Sequence, residues 1–151
     1  MPPAVTDEKS PDYSVVVPVL NEAGNIQPLI DEIVASMTAL SGQAAYEIIY
    51  VDGGSTDATG AELDTAAKSN TNIRIFRHTA SSGQSQALIS GIDHARADWI
   101  ITLDGDGQND PADIQKLIET RDEATKAEPG YADYFLYVGH RRRRHDSLAR
   151  R

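Results

Sequence analysis

Asp104, Asp106 and Gln108 stand in the stretch Trp99-Ile-Ile-Thr-Leu-Asp-Gly-Asp-Gly-Gln-Asn-Asp-Pro111. Two carboxylates one residue apart, followed by a side-chain amide, make a cluster of hard oxygen donors. Such a cluster suits Mg²⁺ or Mn²⁺ carrying a substrate phosphate. The apolar run before it reads as a buried strand, so the cluster falls at a strand's carboxyl end, where open α/β sheets bind ligands. A plain polar turn capped by Asp110 would account for Asp110, Gly105 and Gly107. It does not account for two acids pushed together, whose repulsion costs energy unless a cation offsets it.

Two other ion or phosphate motifs can be weighed against the same residues. An EF-hand loop starting at Asp104 needs glycine at its sixth position and glutamate at its twelfth, where this chain has Asn109 and Gln115. Aspartyl-phosphate phosphatases carry a strand followed by D-x-D-G-T, which Leu103–Gln108 matches except at Gln108. That motif ordinarily opens its domain, whereas three strand–helix units precede it here. Such a phosphatase, using Asp104 and Asp106, remains the alternative.

Three further loops hold polar residues at strand ends. Pro18-Val-Leu-Asn-Glu22 places an amide (Asn21) and a carboxylate (Glu22) just past a first strand. In Val51-Asp-Gly-Gly-Ser-Thr-Asp57, Asp52 can accept from a base N–H or a ribose hydroxyl, and the small residues at Gly53 and Gly54 allow close approach to the backbone. Gly83-Gln-Ser-Gln86 precedes an apolar helix whose free N–H groups, near Gln84, suit phosphate; capping by Ser82 or Ser85 would explain the same residues. His78, His94, His140 and His145 lack metal-ligand spacing and suggest no chemistry.

The elements that must position these loops follow from periodicity. Tyr13–Leu20 is nearly continuously apolar and β-branched, as a strand buried on both faces should be. A helix is predicted from about Ile26 to Leu40, with Ile26, Leu29, Ile30, Ile33 and Val34 at helical spacing. Tyr46–Val51, Ile73–His78 and Trp99–Leu103 read as strands, and Tyr134–Val138 as a fifth. Helices are predicted from a Thr56 or Asp57 cap to about Ser69, over Ser85–Ala95, and from the Asp110 cap with Pro111 at its first position to about Lys126. Strand–helix alternation predicts an α/β fold, a mostly parallel sheet with helices on both faces. Right-handed crossovers then bring the loops after strands one, two and four to one edge.

Composition sets outer bounds. The chain of 151 residues is long enough for a real core. No run reaches the roughly 18 apolar residues of a membrane span, and residues 1–11, read as a disordered leader, lack the apolar core of a signal peptide. The chain has no cysteine, which excludes disulfides, thiolate nucleophiles and zinc–thiolate sites. The net charge of −9 is unevenly spread. Residues 139–151 hold six of the 14 basic residues and one of the 23 acidic ones, net +5, which leaves 8 basic and 22 acidic residues, net −14, in residues 1–138. A basic block on an acidic domain points to an anionic partner such as a lipid phosphate or an acidic membrane surface. The acidic domain disfavours nucleic acid. A non-catalytic membrane-binding or nucleotide-sugar-binding fragment would also carry such a block.

Together these motifs resemble the inverting GT-A glycosyltransferases of family 2, particularly the polyprenyl-phosphate, dolichol-phosphate mannose synthase-like branch. The matching stretches are V-V-V-P-V-L-N-E at 15–22, V-D-G-G-S-T-D-A-T at 51–59, G-Q-S-Q-A-L at 83–88, L-D-G-D-G-Q-N-D-P at 103–111 and G-H-R-R-R-R-H-D-S at 139–147. The resemblance implies a Rossmann-like GT-A core over residues 12–138 and a basic acceptor-side segment over 139–151, in a domain continuing past Arg151. It implies Asp104, Asp106 and Gln108 as holders of Mg²⁺ or Mn²⁺ on the donor diphosphate, and Pro18, Leu20, Glu22 and Asp52 as the nucleoside pocket. Arg141 would approach the acceptor phosphate. The implied reaction moves a hexose of mannose or glucose type from a GDP- or UDP-linked donor to a polyprenyl phosphate. The implied location is cytoplasmic, peripheral to the inner face of a membrane. One departure stands out: the branch usually reads D-D-G-S where this chain has Asp52-Gly-Gly-Ser55, so donor contacts through a second acid are missing.

Overall fold

The computed structural model describes residues 9–40 and 42–127. The chain divides into two compact units, residues 1–112 and 113–151.

The first unit is built on a four-stranded, wholly parallel sheet. Its strands are β1 (Tyr13–Val19), β2 (Tyr46–Asp52), β3 (Ile73–Arg77) and β4 (Trp99–Thr102), in the spatial order β3-β2-β1-β4. Strand β1 is central, with Tyr13 opposite Tyr46 on one side and opposite Trp99 on the other. Every residue of β1 is buried. This is why its sequence runs continuously apolar rather than alternating.

Helices α1 (Ile26–Thr38), α2 (Thr59–Ser69) and α3 (Gln84–Asp93) form the crossovers. Helix α1 buries Ile26, Leu29, Ile30, Ile33 and Met37, a stripe at three- and four-residue spacing. Helices lie on both faces. Gly91 of α3 sits against Val16 and Val51, whereas Gly60 of α2 sits beside the carboxylate of Asp52, and neighbouring residues of a strand point to opposite faces. A Cβ at Gly91 would come 2.3 Å from Val16 Cγ1 and 3.1 Å from Val51 Cγ2. Glycine therefore sets how closely α3 approaches the cluster of Val16, Ile49, Val51 and Ala87.

The amino edge of the sheet is tied together by Glu47, which is 5% exposed. Its Oε1 accepts from Ser14 Oγ at 2.7 Å and from the Arg96 N–H at 2.8 Å. Its Oε2 accepts from Arg74 Nη1 at 2.8 Å. Ser14 Oγ also accepts from the Ala97 N–H, and Arg74 donates to the His94 carbonyl. One carboxylate thus joins β1, β2, β3 and the α3–β4 connection. Burial pushes the Glu47 carboxyl pKa up, but hydrogen bonds from Ser14, Arg74 and the Arg96 N–H, with the Arg74 charge, outweigh it and hold the pKa below the usual value.

In the second unit the described part is α4 (Asp113–Ala127), with Asp113 in its first turn and Lys126 in its last, as the helix dipole favours. Asp113 accepts from Lys116 at 2.7 Å.

Several predicted boundaries shift. Helix α4 starts at Asp113 rather than Pro111, because Asp110 Oδ1 takes the Ala112 N–H at 2.9 Å and folds 110–112 into a turn. Thr56 does not cap α2. Its N–H donates to Asn21 Oδ1, while Asp57 receives the Thr59 N–H. Neither Ser82 nor Ser85 caps α3, which begins after Gly83 at φ +89 with no side-chain cap. The strand expected at Tyr134–Val138 lies outside the described residues. Among the described residues no helix is long and apolar enough to cross a membrane.

Candidate active site

The loops after β1, β2 and β4 meet at the carboxyl edge, as the crossover rule predicts. Asp52 ends β2 and is 4% exposed. Its Oδ1 accepts from the Gly54 N–H at 3.2 Å and the Ser55 N–H at 2.8 Å, so the carboxylate closes its own turn. Gly54 has φ +100, and a Cβ there would lie 3.2 Å from the Ser81 nitrogen and 3.3 Å from the Ala80 carbonyl carbon. The close backbone approach expected at Gly54 is therefore to the chain itself. Gly53 faces only ordinary contact distances and has no positive φ, so nothing steric demands glycine there.

The loop after β1 is bonded to the loop after β2 and to the start of α2. Asn21 takes φ +53, a left-handed conformation that asparagine tolerates better than most residues. Its N–H donates to Ser55 Oγ at 2.9 Å, and its Oδ1 accepts from the Thr56 N–H at 2.8 Å. The next three N–H groups are also received by side chains. Glu22 donates to Thr59 Oγ1 at 2.9 Å, Ala23 to Asp57 Oδ2 at 3.2 Å, and Gly24 to both oxygens of Glu62 at 3.0 Å. The Thr59 hydroxyl in turn donates to Asp57 Oδ1 at 2.5 Å. The hydroxyl and N–H of Thr59, with the Ala23 N–H, hold the Asp57 carboxyl below its usual pKa. Glu22 accepts from Asn25 Nδ2 at 2.9 Å. Leu20, beside them, is 45% exposed, whereas Pro18 is buried inside β1.

Pro18 also explains where β4 ends. Val16 O accepts from the Leu103 N–H at 3.1 Å, and Val19 O accepts from the Gly53 N–H on the other side. Alternation puts the amide of residue 18 on the β4 side, and proline has no N–H to give. The ladder stops, and the chain leaves into Asp104–Gln108. Gly105 then packs over the end of β1. A Cβ at 105 would lie 2.4 Å from Val19 Cγ1 and 2.8 Å from Pro18 O. Gly107 takes φ +74.

Asp104 and Asp106 are both half-buried on this turn. Asp104 Oδ1 accepts from Gln84 Nε2 at 2.8 Å, and Asp106 Oδ1 accepts from the Gln108 N–H at 3.0 Å. Gln84 thus stands beside the acidic turn, joined to it by its side-chain amide. Among the described residues neither second oxygen, Oδ2, has a hydrogen-bond partner. Among the same residues no three His, Asp or Glu side chains gather as a ready-made ion cage. Two carboxylates with oxygens to spare fit Mg²⁺ or Mn²⁺, which take one or two protein carboxylates and complete their shell with phosphate and water. Arg141 lies outside the described residues.

Sequence reading missed Thr59 and Glu62 as partners of the first loop, and saw Asp57 only as a helix cap. All three lie at or just past the V-D-G-G-S-T-D-A-T motif. Backbone N–H groups, which are what they bind, leave no mark in a sequence. His78 braces the neighbouring loop, its Nδ1 at 2.8 Å from Ser82 Oγ and its Nε2 at 2.9 Å from Ser90 Oγ.

Comparison with known proteins gives the family and the fold. The family model for glycosyl transferase family 2 matches residues 14–148. Dodecaprenyl-phosphate galacturonate synthase of Rhizobium johnstonii is 35% identical over 141 residues, covering 93% of this chain and 39% of that protein. Dolichol-phosphate mannosyltransferase of Saccharomyces cerevisiae is 34% identical over 109 residues, covering 72% of this chain and 40% of that one. The chain thus spans about two fifths of the length of these relatives. Among solved structures, the mannosyltransferase PcManGT of Pyrobaculum calidifontis, in complex with GDP-Man and Mn²⁺, superposes with a TM-score of 0.55 at 25% identity, over 66% of this chain and 28% of that one. The α/β architecture is that of the GT-A glycosyltransferases.

Proposed function

Since the chain belongs to glycosyl transferase family 2, we propose that it forms the donor-binding part of an enzyme that moves a sugar from a nucleotide diphosphate to a polyprenyl phosphate. The observation that carries this reading is the meeting, at one sheet edge, of a two-carboxylate turn with a pair of interlocked loops. Relatives named for polyprenyl-phosphate and dolichol-phosphate chemistry support the acceptor class. The complex of PcManGT with GDP-Man and Mn²⁺ supports a nucleotide donor and a divalent ion.

In this reading Asp104 and Asp106, with Gln108, hold Mg²⁺ or Mn²⁺. The bound ion supplies a Lewis acid that stabilises the charge of the departing diphosphate. Gln84 fixes Asp104 by its hydrogen bond. Leu20, Asn21, Glu22 and Asp52 line the nucleoside pocket, with Pro18 beneath them and Gly54 shaping the turn. The acceptor is a hexose-transfer substrate whose phosphate is already ionised at neutral pH, so no general base is needed, in contrast to a hydroxyl acceptor. Arg141 and its neighbouring arginines receive that phosphate through paired N–H donors and face an anionic membrane surface.

Calorimetric titration with GDP and with UDP, each with Mn²⁺ and with EDTA, tests the proposal. The expected result is Mn²⁺-dependent binding of one nucleotide, lost in the Asp104→Ala/Asp106→Ala variant. Binding that survives both EDTA and the double substitution would overturn the metal assignment. Binding of neither nucleotide would overturn the donor-site reading for this chain.

A further inference from the structure

The four consecutive N–H groups of Asn21, Glu22, Ala23 and Gly24 each donate to a side chain 34 to 38 positions later in the chain. We infer that Asp57, Thr59 and Glu62 are positioning residues, a latch that holds the first loop in its nucleoside-binding shape before any donor arrives. The inference rests on the donor-site reading above and goes beyond it, because none of these three residues is assigned a contact with substrate.

The latch has two parts. Thr59, fully buried, relays between the loops: its hydroxyl accepts from the Glu22 N–H and donates to Asp57 Oδ1. Asp57 divides its two oxygens. Oδ1 serves α2 through the Thr59 N–H and hydroxyl, and Oδ2 serves the first loop through the Ala23 N–H. Glu62, one turn further along α2, receives the Gly24 N–H with both oxygens. The first loop contains Asn21 in a left-handed conformation and the exposed Leu20. Neither is held in place by core packing, so hydrogen bonds must specify the loop. A loop already in its bound shape loses little freedom on binding, and affinity rises accordingly.

Asparagine at 57 separates the two tasks. Its one carbonyl oxygen can still serve Thr59, but its NH₂ then faces the Ala23 N–H, donor against donor. Asp57→Asn therefore releases the Ala23 arm of the latch while leaving the start of α2 bonded. Thr59→Val removes the relay hydroxyl at constant volume, and Thr59→Ser keeps it.

The test uses the 151-residue chain and two readouts. The first is amide hydrogen exchange of residues 21–24 without nucleotide. The second is calorimetric affinity for GDP and for UDP with Mn²⁺. Asp57→Asn should speed exchange at Ala23, and Thr59→Val at Glu22, at least tenfold, and each should weaken the nucleotide bound by wild type at least fivefold, with Thr59→Ser like wild type in both. Unchanged exchange at Ala23 in Asp57→Asn and at Glu22 in Thr59→Val would show that no latch exists. Faster exchange with unchanged affinity would show a latch that does not position the site. If wild type binds neither nucleotide while exchange still responds, the donor-site reading fails and the positioning role falls with it, while the hydrogen-bonded latch itself stands.

Discussion

Replacing Glu47 by glutamine keeps the side chain's volume and removes its charge. The structure says what that costs. The amide oxygen can take over from Oε1 and receive the Ser14 hydroxyl and the Arg96 N–H. The amide NH₂ then occupies the place of Oε2, 2.8 Å from Arg74 Nη1, where two donors meet. One charge-assisted hydrogen bond is lost, of the kind that contributes about 1.5–3 kcal/mol. Breaking a fully buried ion pair costs roughly 3–5 kcal/mol. The Arg74 side chain is 26% exposed and keeps the His94 carbonyl, so water can recover part of that loss. We expect Glu47→Gln to lower unfolding stability by about 2 kcal/mol, read from urea midpoints at pH 7. The pH dependence gives a second check. The folded-state pKa of Glu47 is depressed, so its contribution is fully present above the unfolded pKa and is lost as pH falls through the folded one. The difference between wild type and variant should shrink on acidification. A variant within about 0.5 kcal/mol of wild type at pH 7, the range of an ordinary surface substitution, would refute the bracing role of this network.

Two other substitutions test the packing around the site. Gly105→Ala drives a Cβ to 2.8 Å from the Pro18 carbonyl, a backbone atom that cannot rotate away. It should cost about 1–3 kcal/mol and weaken Mn²⁺-dependent nucleotide binding at least tenfold; wild-type affinity in a folded Gly105→Ala protein would dissociate the acidic turn from the site. Tyr50 is fully buried, and among the described residues its hydroxyl has no hydrogen-bond partner. Burial alone raises its pKa. Tyr50→Phe should raise stability by about 1 kcal/mol, the lower end of the cost of an unsatisfied buried group; a loss of similar size in urea unfolding would show that the hydroxyl is bonded.

What the sequence disclosed follows from which interactions leave a pattern. Strand β1 was legible because burial on both faces demands a continuous apolar run, and Tyr13–Val19 is one. The acidic turn was legible as a motif because its polar side chains fall within a few positions of each other in the sequence, from Asp104 to Gln108. Helix starts were misplaced by one or two residues where aspartate side chains folded the preceding residues into turns, as at Asp57 and Asp110. The Glu47 network was invisible. Its partners at Ser14, Arg74 and Arg96 lie on other strands and connections, and a lone glutamate in Tyr46-Glu-Ile-Ile-Tyr-Val51 reads as an ordinary polar position. The cross-loop bonds were invisible for a different reason, since their donors are backbone groups common to every residue.

The two edges of the sheet use the same functional group to opposite ends, and the contrast bears on where the chemistry lies. At the amino edge both oxygens of Glu47 accept hydrogen bonds, one of them from two donors, and the carboxylate is nearly inaccessible. A carboxylate so fully satisfied gains nothing from a further cation and is there to join strands. At the carboxyl edge Asp104 and Asp106 each accept one hydrogen bond on Oδ1, and both remain partly open to solvent. Fixing one oxygen restricts the rotamer; leaving the other unpaired, among the described residues, preserves its capacity to bind. Both half-satisfied acids stand on one tight turn, and Gly105 between them packs over the end of β1, which leaves no room for a side chain at that position. In the proposed function this open pair is the one that would take a divalent cation, which binds through one or two protein carboxylates and completes its shell with phosphate and water.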